Sequence, residues 1–235
     1  MDSVSLLLPP PRIVCIGDSL SQYGWSVAEG GFAGLLAEAY SPRADVIGRG
    51  MSGFTSRMLL HYLQNGPIGE VLDCSRGRTR ILYVTLCIGA NDASIGPVNP
   101  AQYVPIEEYR ENLRGIVGAI TRFGIPNNRI IVIPPPPIDP NGTPFLTKAG
   151  KTTELTEQYA RACLEEAEAL GTRVTDIRLF RTAEDIWVDG LHLNKMGNFL
   201  MYRSIMSACG AELCPEMVPY PWPHWTDYPE KAMGQ

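Results

Sequence analysis

Ile13-Val14-Cys15-Ile16-Gly17-Asp18-Ser19-Leu20 runs from four apolar residues straight into a tight turn that carries a serine. A short apolar run bounded by glycine and aspartate reads as a buried strand. The turn at its carboxyl end is where an α/β fold presents reactive side chains. Ser19 is therefore a candidate nucleophile, and a serine hydroxyl attacks only when a base takes its proton. Near the other end of the chain, Asp189-Gly190-Leu191-His192 places a carboxylate and an imidazole three residues apart, able to meet that serine as orienter and base. Two glycine-bearing loops, Gly50-Met51-Ser52-Gly53 and Gly89-Ala90-Asn91-Asp92, also follow apolar runs. Both suit hydrogen-bond donors aimed at a developing oxyanion.

Working outward, apolar runs of strand length alternate with longer segments of helical period. Strands are expected over 12–16, 44–48, 81–88, 129–133 and 173–175, and helices over 31–40, 55–63, 106–123, 151–170 and 194–209. This alternation is the signature of a parallel sheet with helices on both faces. Gly124 and Gly171 read as left-handed helix stops, and the glutamates of 154–168 as a solvated face. Proline forbids helix and sheet interior over Pro134–Phe145, so a stiff loop is expected there, bounding the cleft at the ligand-binding edge of the sheet. Residues 1–214 read as one domain. Residues 215–235 form a tail rich in proline and aromatics (Tyr220, Trp222, Trp225, Tyr228), expected to pack back on the domain or on a second subunit.

Each block has a plainer reading by itself. Gly, Asp, Asn and Ser crowd any tight turn, and Asn194 is an ordinary helix cap. Their conjunction outweighs this, since every block falls at a strand's carboxyl end or beside the last helix, and one sheet edge would gather all of them. His61 lies in an amphipathic stretch and is read as half-buried and structural, and His224 belongs to the tail. Trp25 and Phe32 either line an acyl pocket or, more commonly for such residues, belong to the core. Asp18 is given no chemical step.

A chain of 235 residues, 45% hydrophobic and 19% charged, suits a sizeable buried core. Its net charge of −5 and lack of a basic stripe argue against nucleic acid, which demands clustered Lys and Arg. The segment Met1–Pro9 has no positive leader, and no apolar stretch approaches membrane-span length; a soluble, cytoplasmic protein is expected. Cys15, Cys74, Cys87, Cys163, Cys209 and Cys214 lack CxxC spacing and are expected to be free thiols. With only three histidines, no metal site is expected.

The four blocks, in this order, resemble the SGNH branch of the GDSL hydrolases, and the likeness runs over about residues 12–210. It continues in Gln102-Tyr103-Val104-Pro105-Ile106-Glu107-Glu108-Tyr109-Arg110-Glu111-Asn112-Leu113 and in Pro134–Pro137, and is strongest to the isoamyl acetate-hydrolysing esterase subgroup. Phe32, where tryptophan is expected, and Cys87-Ile88 depart from the pattern and bear on pocket shape. The resemblance implies a flavodoxin-like three-layer α/β/α sandwich with a mostly five-stranded parallel sheet. It implies a Ser19–His192–Asp189 triad with the Gly53 N–H and the Asn91 amide as oxyanion donors, to which the expected mechanism adds the Ser19 N–H. It also implies a small ester of short acyl chain as substrate; the triad chemistry needs no cofactor, and a tail packed on a second subunit would make a homodimer. The same apparatus would serve a thioester, a lysophospholipid or an acetylated sugar. A noncatalytic flavodoxin-like binding module is the alternative from another class.

Overall fold

Strand β1 (Arg12–Gly17) buries Ile13 and Cys15 on one face and Val14 and Ile16 on the other. A strand apolar on both faces needs cover on both, the situation of a parallel sheet. The computed structural model, which describes residues 9–73, 80–176, 180 and 185–221, has that cover. Five parallel strands stand in the order β2 (Asp45–Gly50), β1, β3 (Ile81–Cys87), β4 (Ile130–Ile133), β5 (Arg173–Val174). This is the flavodoxin-like order, with its switch point between β1 and β3. Gly17 is in register with Gly50 of β2 and Cys87 of β3, so the loops leaving these three strands emerge side by side.

Helices α2 (Phe32–Tyr40) and α8 (Lys195–Cys209) cover one face. The other is covered by α3 (Ser56–Asn65), α4 (Pro67–Leu72), α5 (Ile106–Thr121) and α7 (Thr153–Ala169). The chain leaves α5 and α7 through Gly124 and Gly171, both at positive φ as expected.

Some sequence expectations need correction, and others stand. The glutamates of α7 are exposed except Glu166, which is buried between Arg110 and Arg114 of α5. The stiff segment after β4 ends in a short helix, α6 (Pro144–Lys148): Pro144 occupies the first turn, where its missing N–H has no intrahelical partner to lose. Thr143 caps that helix, its hydroxyl accepting from the Leu146 N–H at 3.2 Å. Phe32 is core, and Trp25 packs against Gly48 of β2, where a Cβ would stand 2.1 Å from the indole nitrogen. His61 is exposed on α3, not half-buried. Cys15, Cys87, Cys163, Cys209 and Cys214 are free thiols. Of the tail, Val218 is buried and its carbonyl accepts from Arg43 at 2.5 Å, while Tyr220 lies under the Arg43 guanidinium. Cys74, Trp222, His224, Trp225 and Tyr228 lie outside the described residues.

Candidate active site

Ser19 is the first residue of α1 (Ser19–Tyr23), the short helix that follows β1. The turn depends on Gly17, whose φ is +149° and where a Cβ would stand 1.9 Å from the Cys87 carbonyl oxygen, a contact no side chain survives. Asp18 then caps α1, one carboxylate oxygen accepting from the Leu20 N–H at 2.9 Å. Its other oxygen has no partner among the described residues, and burial pushes its pKa up to about 7 against the Leu20 bond.

The turn brings Ser19 Oγ to 2.9 Å from His192 Nε2, and His192 Nδ1 is 2.7 Å from Asp189 Oδ2. Asp189 and His192 share a tight loop closed by an antiparallel bridge between Trp187 and Leu193 and by a Val188 N–H bond to the His192 carbonyl at 2.7 Å. Asp189 Oδ1 accepts from the N–H groups of Leu191 at 3.0 Å and His192 at 2.9 Å. Partial burial works to raise the Asp189 pKa, but the His192 side-chain bond and the two N–H bonds outweigh it and hold the carboxyl below the ordinary carboxylate range. The His192 ring is fixed edge-on by Tyr23, with centroids 5.0 Å apart, and flanked by Phe145 at 5.9 Å.

The loop after β2 is pinned from both sides. Ser52 N–H donates to Gln22 Oε1 at 2.7 Å, and the Gly53 carbonyl accepts from Gln102 Nε2 at 3.2 Å. Among the described residues the N–H groups of Ser19 and Gly53 meet no acceptor. Asn91 Nδ2 spends one hydrogen on the Phe54 carbonyl at 2.9 Å, leaving the other free. Asp92, next in the chain, faces away and accepts from the Ser56 N–H and hydroxyl at the start of α3, with burial raising its pKa to about 6.

All five sequence-predicted residues, Ser19, Gly53, Asn91, Asp189 and His192, line one cavity of about 580 Å³. Tyr23, Phe145, Val188 and Leu191 make its apolar wall. Of the segment Pro134–Phe145, expected to bound the cleft, Phe145 lines the cavity, whereas Pro134–Pro137 are not part of its lining and Pro134, Pro135 and Pro136 are buried. Sequence reasoning gave no role to Gln22, Gln102 or Lys151, since a lone polar residue in a helix, in a turn or before a helix cap carries no local signal of what it will hold. A hydroxyl, an imidazole and a carboxylate bonded in that order can pass the hydroxyl proton to the imidazole, and free N–H groups beside them can receive negative charge on a carbonyl oxygen.

Comparison with known proteins agrees with this geometry. The sequence model of the GDSL-like lipase/acylhydrolase family matches residues 15–198. The chain is 32% identical to the mouse isoamyl acetate-hydrolyzing esterase 1 homolog, covering 94% of this chain and 89% of the mouse protein. It is 30% identical to the Schizosaccharomyces pombe isoamyl acetate-hydrolyzing esterase, covering 92% and 83% respectively. In fold it is similar to an acetylxylan esterase from Geobacillus stearothermophilus, with a TM-score of 0.64, 22% identity and coverage of 88% of this chain and 98% of that one. The chain belongs to the GDSL-like lipase/acylhydrolase family. It is a carboxylic ester hydrolase. No helix among the described residues is long and apolar enough to cross a membrane.

Proposed function

We propose that the enzyme hydrolyses short-acyl carboxylic esters, acetates of small alcohols foremost, through an acyl-enzyme on Ser19. The observation that carries this reading is the 2.9 Å contact between Ser19 Oγ and His192 Nε2 at the wall of a cavity that also holds the unpartnered N–H groups of Ser19 and Gly53. The names of the mouse and yeast relatives, both isoamyl acetate-hydrolyzing esterases, support the substrate class.

His192 takes the proton of Ser19 as the oxygen attacks the ester carbonyl, and Asp189 holds the ring tautomer and stabilises the imidazolium. The oxyanion receives hydrogen bonds from the Ser19 and Gly53 N–H groups and the free Asn91 amide hydrogen. His192 then protonates the leaving alkoxide, the alcohol departs, and water repeats the sequence on the acyl group.

Ser19→Ala tests the reading. It removes the attacking oxygen, and losses of about 10⁶ in kcat accompany removal of such a nucleophile. A fluorophosphonate should label Ser19 in the wild type and leave the variant unlabelled. A variant that retains more than a few per cent of wild-type turnover sinks the acyl-enzyme on Ser19. A binding module without catalysis would show neither label nor turnover.

A further inference from the structure

We propose that Lys151 is a positioning residue for the oxyanion site: its ammonium holds the backbone on either side of Asn91, so that the free Asn91 amide hydrogen faces the cavity. The proposal rests on the reading of Asn91 as an oxyanion donor.

Lys151 is 6% exposed, lies just before α7, and lines the cavity. Its Nζ donates to the Ala90 carbonyl at 2.5 Å, the Asn91 carbonyl at 2.9 Å and Ser94 Oγ at 2.6 Å. An ammonium has three hydrogens, and all three are spent on one loop. Ser94 Oγ donates in turn to the Asn91 carbonyl at 2.7 Å, so that one oxygen receives two bonds. Burying a lysine is costly, and here its bonds go to carbonyls and a hydroxyl, not to a carboxylate. Fixing the Ala90–Asn91–Ser94 backbone is what they accomplish. With Asn91 Nδ2 also held by Phe54, main chain and side chain of Asn91 are fixed from opposite sides.

The charged groups that act on the ammonium through space are Asp92 from the loop after β3 and Asp18 from the β1–α1 turn, while Asp189, His192 and Glu29 line the same cavity. Burial lowers the Lys151 pKa to about 8, with Asp92 and then Asp18 opposing that shift. Above that pH, Nζ keeps two hydrogens and gains a lone pair. The Ser94 hydroxyl then turns to donate to Nζ and releases the Asn91 carbonyl. The loop loosens without losing every bond.

The test compares wild type, Lys151→Met, Asn91→Ala and the double variant on p-nitrophenyl acetate. Lys151→Met should lower kcat by about 10–100-fold, less than direct loss of an oxyanion donor, with KM changed by less than about threefold. In the Asn91→Ala background the same change should cost less than about twofold, because the group it positions is gone. Full multiplicative loss in that background, or an unchanged kcat in the single variant, overturns the proposal. Should Lys151→Met not fold, the wild-type pH profile decides. With circular dichroism unchanged across the range, kcat should fall severalfold around pH 8 to a non-zero plateau at constant KM. A flat kcat from pH 7 to 10 overturns it. Ser19→Ala separates the two ideas: its activity tests the nucleophile whatever Lys151 does.

Discussion

The Asp139 N–H donates to the Gly190 carbonyl at 2.9 Å, which ties the loop leaving β4 to the tip of the turn that carries Asp189 and His192. Two more bonds strengthen the tie. Thr143 Oγ1 donates to the Asp189 carbonyl at 2.8 Å and Trp187 Nε1 to the Pro137 carbonyl at 3.0 Å. Prolines lose little entropy on ordering, so the proline segment is a stiff brace against the back of the Asp–His turn. The proposed base, held at hydrogen-bond distance from the proposed nucleophile, needs such support.

Gly190 is where that brace is most exposed to mutation. Its φ is +95°, and a Cβ there would stand 2.9 Å from Thr143 Cγ2 and 3.0 Å from Leu146 Cδ1. Gly190→Ala should therefore push the turn off the brace and misplace His192, lowering kcat by about 10²-fold as small misplacements do. KM for p-nitrophenyl acetate should change little. Wild-type kcat in a folded Gly190→Ala enzyme would show that the brace does not position the base.

Asp189→Asn keeps the shape of the loop but puts an amide where Asp189 Oδ2 accepts from His192 Nδ1. The amide favours the wrong ring tautomer, and a loss of up to about 10⁴ in kcat is expected. The stability consequence has a definite sign. The folded Asp189 pKa is depressed, so its stabilisation is present above the ordinary carboxylate range, about pH 4, and is lost as pH falls below it. Melting temperatures of wild type and variant should accordingly converge as pH is lowered from 6 to 3. A gap that is constant or widens toward low pH would contradict this assignment.

Glu166 offers a test of the fold remote from the chemistry. Buried on α7, it accepts two bonds from Arg114 at 2.7 Å and one from Arg110 at 3.3 Å, chiefly the former holding its pKa down. Neither α5 nor α7 contributes a residue to the cavity. Glu166→Gln should lower the melting temperature at pH 7 by a few degrees and leave kcat and KM unchanged. The deficit should shrink as pH falls below about 4, where the wild-type carboxylate also loses its charge. A change in kcat would show coupling between this clamp and the site.

Much of this was readable beforehand, for reasons that differ by element. β1 and β3 are buried on both faces, so their apolar runs stand out, and Gly124, Gly171 and Asn194 mark helix ends by backbone and capping chemistry alone. The five residues proposed for the site were legible because each stands in a short turn whose residue types answer a chemical need, and all five line the cavity. What stayed hidden depends on contacts distant in sequence. Glu166 looks like its solvated neighbours until Arg110 and Arg114 arrive from α5 some 50 residues away. Gln22 and Gln102 gain meaning only when the loop after β2 is folded between them. Pro144 forbids a helix interior yet starts α6, because the first turn asks nothing of its missing N–H.

The structure also moves the expected origin of acyl-chain preference. Pro134, Pro135 and Pro136 are buried and not part of the cavity lining, whereas Phe145 of α6 lines the cavity beside the His192 ring. Phe145, with Tyr23, Val188 and Leu191, is therefore the better candidate for limiting chain length. Wild type should show its highest kcat/KM on acetate or butyrate esters, with octanoate and palmitate well behind. Phe145→Ala, which opens the apolar wall, should raise the octanoate-to-acetate ratio of kcat/KM several-fold, since each added methylene buried in such a pocket is worth about 0.8 kcal/mol. Replacing Pro135–Pro137 by Gly and Ser should instead depress all substrates together, because it loosens the Asp189–His192 turn and leaves the wall in place. The measurement is kcat/KM across the four chain lengths for the three enzymes, with and without micelles. If the proline variant shifted the chain-length ratio and Phe145→Ala did not, the wall assignment would be wrong. If palmitate led, or the rate jumped at the micelle threshold, the short-acyl reading would give way to a lipase-like one.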